Sequence, residues 1–78
     1  LDAVYLSGHA RQRASEMGVP LTDVLAAMLN PEVAYEQADR GPGCWVHQRG
    51  RIAVAIRKTA TEIVALSVLP RIAAVYSR

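Results

Sequence analysis

Seventy-eight residues are too few for two hydrophobic cores, so the chain is read as a single domain spanning residues 1–78. A hydrophobic content of 51% excludes a disordered polymer, and a net charge of +2 permits a nucleic-acid partner without demanding one. The lone cysteine, Cys44, excludes an internal disulfide and a cysteine-based zinc site, and no apolar run approaches the ~18–20 residues of a membrane span.

The first predicted element is a helix over Gly8–Met17. Ser7 is a suitable N-cap, Ala10, Ala14 and Met17 form an apolar stripe, and Gly18 supplies a left-handed stop. His9 and Arg13 are four residues apart and share one face of that helix. A second helix is expected to begin with Thr22 as its cap. It carries Val24, Leu25, Met28 and Leu29 at helical spacing and ends at Asn30-Pro31, because the residue before proline resists helical angles.

From Glu32 onward the periodicity shifts from helical to alternating. Val33 and Tyr35 alternate with smaller or polar neighbours and mark a short strand. Beyond the Gly41-Pro42-Gly43 turn, Cys44–Arg49 and Arg51–Lys58 read as strands joined tightly at Gly50. Ile52, Val54 and Ile56 fall on one face, with Arg51, Ala53, Ala55 and Arg57 on the other. After a turn at Thr59-Ala60-Thr61, Glu62–Leu69 is β-branched and apolar on both faces, as a central or interface strand would be. The sequence leaves the residues after Pro70 open between helix and strand. Short connections favour an antiparallel meander, giving an α+β domain of order α-α-β-β-β-β, with two N-terminal helices packed on an antiparallel β-sheet. The predicted core joins Val24, Leu25, Met28, Ile52, Val54 and Ile56.

Two places carry chemistry. On the first helix, His9 is a candidate general acid or base and Arg13 a phosphate clamp. The structural alternatives are a His9 ring that fixes helix to sheet and an Arg13 paired with Glu16 or Glu36. The second place is the outer sheet face. If Val46 points inward, Trp45, His47 and Arg49 point outward beside Arg51 and Arg57. Arginines around an aromatic side chain suit an RNA backbone and its bases. The alternative is a solvated face with Trp45 covered by the tail or by a dimer partner. No metal-ligand spacing, phosphate-cradling glycine loop or cofactor motif is present. A Ser7-His9-Asp2 triad has no support in the spacing. A helix-turn-helix reading is weak, because Asp23–Leu29 carries no basic residue.

The Ser-x-His-Ala-x-x-Arg helix, Gly18, Asp23-Val24 and Leu29-Asn30-Pro31-Glu32-Val33 together resemble a family of small bacterial and phage domains. That family looks related to RelE/ParE/BrnT-like toxins, whose wider group includes many metal-independent ribonucleases. The resemblance runs from about Tyr5 to Pro70. It implies a small sheet with helices on one side, a basic face on the other and an antitoxin partner. Because several relatives use a C-terminal basic or aromatic residue, it also draws notice to Tyr76 and Arg78.

The expectation is a toxin-type RNA-binding protein, either a metal-independent endoribonuclease or a degenerate relative of one, and in the ribonuclease version His9, Arg13, His47 and Arg57 are catalytic. Arg13 and Arg57 would hold the phosphate, and His9 or His47 would move the proton of an attacking ribose 2′-hydroxyl. Trp45, Arg49, Arg51 and Lys58 would bind RNA, with no metal and no cofactor. The alternative is a non-catalytic phage- or bacterium-encoded regulator of a host protein. The two-sided apolar strand further predicts a homodimer or a partner-dependent monomer. The lone cysteine and the lack of a secretory pattern point to the cytoplasm as the expected location.

Overall fold

The computed structural model describes residues 3–71. In chain order its elements are β1 (Ala3–Leu6), α1 (Gly8–Met17), α2 (Leu21–Leu29), β2 (Val33–Glu36), a 3-10 turn (Ala38–Arg40), β3 (Cys44–Arg49), β4 (Ile52–Lys58) and β5 (Glu62–Pro70). The five strands form one sheet in the order β1-β5-β4-β3-β2. The domain is α+β as expected, but the sheet is mixed. β2, β3, β4 and β5 form an antiparallel meander, while β1 runs parallel to β5. The expected order therefore lacks one strand. β1 is only four residues long, and its pairing partner lies at the far end of the described chain.

The first helix starts and stops where its sequence signals place it. Ser7 Oγ accepts the Ala10 amide at 3.0 Å and donates to Leu66 O at 3.1 Å, so a single hydroxyl caps α1 and ties its start to β5. Gly18 adopts φ 68°, and its amide and that of Val19 return to Ser15 O and Ala14 O. Ala10 and Ala14 are fully buried, and their small side chains let α1 lie close on β5. The start of α2 corrects the expectation at Thr22: Pro20 occupies the cap position, and Thr22 lies inside the helix and is exposed. Pro20 is extended there and offers no side-chain cap, but its carbonyl accepts the Asp23 and Val24 amides at 3.0 and 3.4 Å. Asn30 closes α2 as expected, its amide donating to Ala26 O at 2.8 Å.

One core lies between the two helices and the sheet. It joins Val24, Ala27 and Met28 of α2 to Ile52, Val54, Ile56, Ile63, Ala65 and Val68, with Leu25 packed at its margin. The predicted core residues thus converge. β5 is a central strand, flanked by β1 and β4, as its apolar character on both faces allows, and it carries a bulge. Ile56 pairs with Ala65 and Ala55 with Ser67, so Leu66 is the extra residue. The bulge shifts the alternation by one, sending Ile63, Ala65 and Val68 inward and leaving Leu66 38% exposed.

Two glycines are required by geometry. Gly50 adopts φ 62° ahead of Arg51, the pattern of a two-residue hairpin with glycine first. Gly43 adopts φ 80°, and a Cβ there would stand 2.5 Å from Lys58 O.

Candidate functional site

The β3–β4 register decides which side chains meet. Trp45 pairs with Ile56, His47 with Val54 and Arg49 with Ile52. Directly opposed residues on antiparallel strands share a face. Trp45, His47 and Arg49 therefore lie on the helix side, with the core. The expected arrangement, with these three outward beside Arg51 and Arg57, is overturned. Val46 takes the opposite face with Ala55, and Arg57 shares it as an exposed side chain. The physical reason is the two-residue turn. With Gly50 and Arg51 at its tip, Arg49 must oppose Ile52 and follow it inward.

The predicted site residues fall into four places. His9 and Arg13 lie on α1, which packs against β5. His9 is exposed, and Arg13 pairs with Glu16 at 3.2 Å, one of its two expected partners. Arg57 is exposed on the outer face. Arg49 and Arg51 line a pocket of about 430 Å3 at the hairpin tip, with Pro20 and Asp23 across from them. Arg49 also donates to Asn30 O at 3.1 Å, just past the end of α2. Trp45, His47 and Lys58 form the fourth group. The Lys58 ammonium lies 4.4 Å from the Trp45 ring centroid, and the Trp45 and His47 rings meet edge to face at 6.5 Å. The four residues expected to be catalytic thus occupy three separate places. Tyr76, Arg78 and Asp2 lie outside the described residues.

His47 is the most constrained member of the set. It is 3% exposed, and its Nδ1 stands 2.9 Å from Met28 O. A carbonyl only accepts, so Nδ1 carries the proton and the neutral ring keeps its lone pair on Nε2. That bond satisfies a carbonyl in the last turn of α2, which has no partner within the helix. Nε2 is buried and has no partner among the described residues. Burial holds the His47 pKa below the ordinary histidine value, and Lys58 adds to the depression. Hydrogen bonding to the Met28 and Ala27 backbone opposes it without reversing it. His47 is accordingly neutral at neutral pH.

A second pocket, of about 380 Å3, opens between the end of α2 and the β4–β5 turn. Met28, Pro31, Ala34 and Ile63 give it apolar walls, while His47, Lys58 and Thr59 bring polar groups to it. This joins a neutral imidazole, an ammonium and a hydroxyl around a cavity large enough for one small ring system.

A clamp at the opposite end of β3 was not anticipated. Glu32 Oε1 accepts from Arg71 at 2.7 Å and from the Gly50 amide at 3.1 Å, and Arg71 also donates to Gly50 O at 3.1 Å. These bonds fasten the α2–β2 link, the hairpin tip and the end of β5. The bond from Arg71, and then that from Gly50, hold the Glu32 carboxyl below the usual glutamate range. No spacing signal announces the clamp, because its partners are far apart in sequence.

Among the described residues, no group of three or more His, Cys, Asp or Glu side chains is placed to hold a metal ion. No helix among them is long and apolar enough to cross a membrane. Residues 6–65 match the family described as a domain of unknown function, DUF4258, and the chain belongs to that family. No curated protein and no solved structure matches it significantly.

Proposed function

We propose that this domain is a toxin-type RNA-binding protein whose binding site is the pocket beside Trp45, His47 and Lys58. One observation carries the reading: a cation held over the face of the single tryptophan, next to a pocket with a buried imidazole in its wall. RNA offers both groups that such a site takes, a phosphate for the ammonium and a flat base for the aromatic and apolar surfaces. The helix-one motif supports the toxin side of the reading, through its resemblance to RelE/ParE/BrnT-like proteins, and with it an antitoxin as a partner. The proposal is confined to binding, because His9, Arg13 and Arg57 stand apart from His47.

Trp45 is the only tryptophan, so its fluorescence reports directly on the site. Single-stranded RNA should quench it, and the affinity should fall steeply with salt as counterions are released. Lys58→Ala should weaken binding by about tenfold, the loss of roughly one phosphate contact. Arg57→Ala, on the opposite face, should change it little. Absence of binding in low salt would defeat the RNA reading.

A second reading has its own observation. Tyr5 and Leu66 are 52% and 38% exposed, and both lie off the core side of the sheet, with Leu69 also exposed. That apolar surface favours a protein partner, whether an antitoxin, a host protein or a second copy of the chain. Light scattering of the wild type beside a Tyr5→Ser/Leu66→Ser variant tests the self-association branch. A homodimer should dissociate in the variant, and a wild type that is already monomeric removes that branch.

A further inference from the structure

We propose that the pocket between the end of α2 and the Thr59–Thr61 turn is a nucleobase subsite, in which the base donates an N–H to Nε2 of His47. The inference rests on the RNA-binding reading and names the part of the nucleotide that enters and the group that recognises it. Nδ1 of His47 is committed as a donor to Met28 O at 2.9 Å, so Nε2 can act only as an acceptor. Nε2 is also buried with no partner among the described residues. A buried acceptor without a donor is costly, and a ligand that supplies the donor gains by relieving that cost.

The other buried side-chain atom without a partner, Gln48 Oε1, does not compete for this role. Gln48 pairs with Ala53 on the side of the sheet away from the helices and lines neither pocket described above.

The remaining walls define the class of ligand. Met28, Pro31, Ala34 and Ile63 offer apolar surface to a flat ring. Thr59 Oγ1 accepts the amides of Thr61 and Glu62 at 3.4 and 3.1 Å, which leaves its own hydroxyl hydrogen free to donate. His47 and Thr59 line the same pocket, and an acceptor with a donor there suits an amino-bearing base such as adenine, where an exocyclic N–H lies next to a ring nitrogen acceptor. Lys58 stands at the same pocket and supplies the charge that a nucleotide phosphate requires.

The test titrates the intact domain with adenosine monophosphate, N6,N6-dimethyladenosine monophosphate and inorganic phosphate, following amide shifts by NMR. The parent nucleotide should bind at least tenfold more tightly than the dimethyl analogue, which has lost the exocyclic donor, and more tightly than phosphate alone. His47→Phe keeps a flat ring without the acceptor and should abolish the preference. Ala34→Trp fills the pocket from the exposed position directly opposite His47 on β2 and leaves the imidazole itself in the chain. It should abolish nucleotide binding while leaving the thermal melt unchanged, which keeps the test independent of any folding defect in His47→Phe. Equal binding of the two nucleotides by the wild type would overturn the proposal. So would absence of nucleotide binding at millimolar concentration, phosphate binding as tight as the nucleotide, or a full-affinity Ala34→Trp variant. RNA binding that persists without base preference would reject the subsite alone, whereas loss of RNA binding altogether rejects the broader reading.

Discussion

The side of the sheet under the helices buries Ile52, Val54, Ile56, Ile63 and Val68, and it also holds Trp45, His47 and Lys58. The opposite side carries Arg57, Val64 and the bulged Leu66. No helix lies on it among the described residues, since both helices join the core cluster. The contrast separates two kinds of surface. Polar groups on the helix side are held in fixed geometry by what packs on them: His47 is bonded to α2, and Lys58 is seated on Trp45. On the outer side Arg57 and Leu66 are exposed, while Gln48 is buried and donates to the Tyr35 hydroxyl at 3.4 Å. A specific ligand needs groups positioned before it arrives, which favours the helix side for the recognition proposed above. The outer side suits looser, area-driven contact with a protein.

The largest effect is expected where the helix side is most tightly closed. Val54 is fully buried between the helices and the neighbouring strands, so Val54→Asp places a carboxylate in the core without a partner. The cost is several kcal/mol against a stability of about 5–15 kcal/mol for a small domain. The thermal transition should disappear or fall below room temperature, and an unchanged melt would reject the core assignment.

A smaller effect belongs to His47 itself. Replacing it with phenylalanine removes one hydrogen bond and leaves Met28 O unpaired, a cost of about 1–3 kcal/mol. The same substitution changes the pH dependence. Because the folded-state pKa of His47 is depressed, the unfolded chain binds a proton that the folded chain does not. Wild-type stability should therefore fall as pH drops below about 6.5 and continue falling until the lower folded value is reached. His47→Phe should lack this contribution to the slope. Denaturant melts at pH 7.5 and 5.5 measure it, and identical slopes in the two proteins would place His47 in a more solvated setting.

Glu32 gives the mildest effect and a different window. Its pKa is also depressed, so the stability it contributes is present above its unfolded value and is lost as pH falls through its folded one. The group is exposed, and Glu32→Gln should cost little at neutral pH. The difference between variant and wild type should narrow further near pH 3.5, and a difference that grows in acid would contradict the clamp.

Much of this architecture was legible in the sequence because local signals carried it. The Ser7 cap, the Gly18 stop and the Asn30-Pro31 end are short-range, and the alternation of Ile52, Val54 and Ile56 needs only one strand to be seen. β1 was missed because four apolar residues ahead of a strong helix cap say nothing about a parallel partner on β5. The bulge at Leu66 was missed for a related reason, since an apolar strand gives no sign of where its alternation slips. The facing of Trp45, His47 and Arg49 was different, because the signal was present. A two-residue turn at Gly50-Arg51 sets Arg49 opposite Ile52, and inward Ile52 then brings His47 and Trp45 inward as well. An apolar Val46 suggested the reverse, but turn geometry outranks the hydrophobicity of a single residue. The imidazole therefore belonged to a pocket that needed α2, β3 and the β4–β5 turn together before it existed.

The recognition surface proposed for RNA is the helix side of the sheet. The most direct measurement is a map of amide and side-chain NMR shifts as a short single-stranded RNA is titrated into the intact domain at low salt. Changes are expected at the Trp45 indole, His47, Lys58, Thr59 and Ala34, with Arg57, Val64 and Leu66 unmoved. Shifts confined to Arg57, Val64 and Leu66 would place the RNA on the opposite face and contradict the proposal.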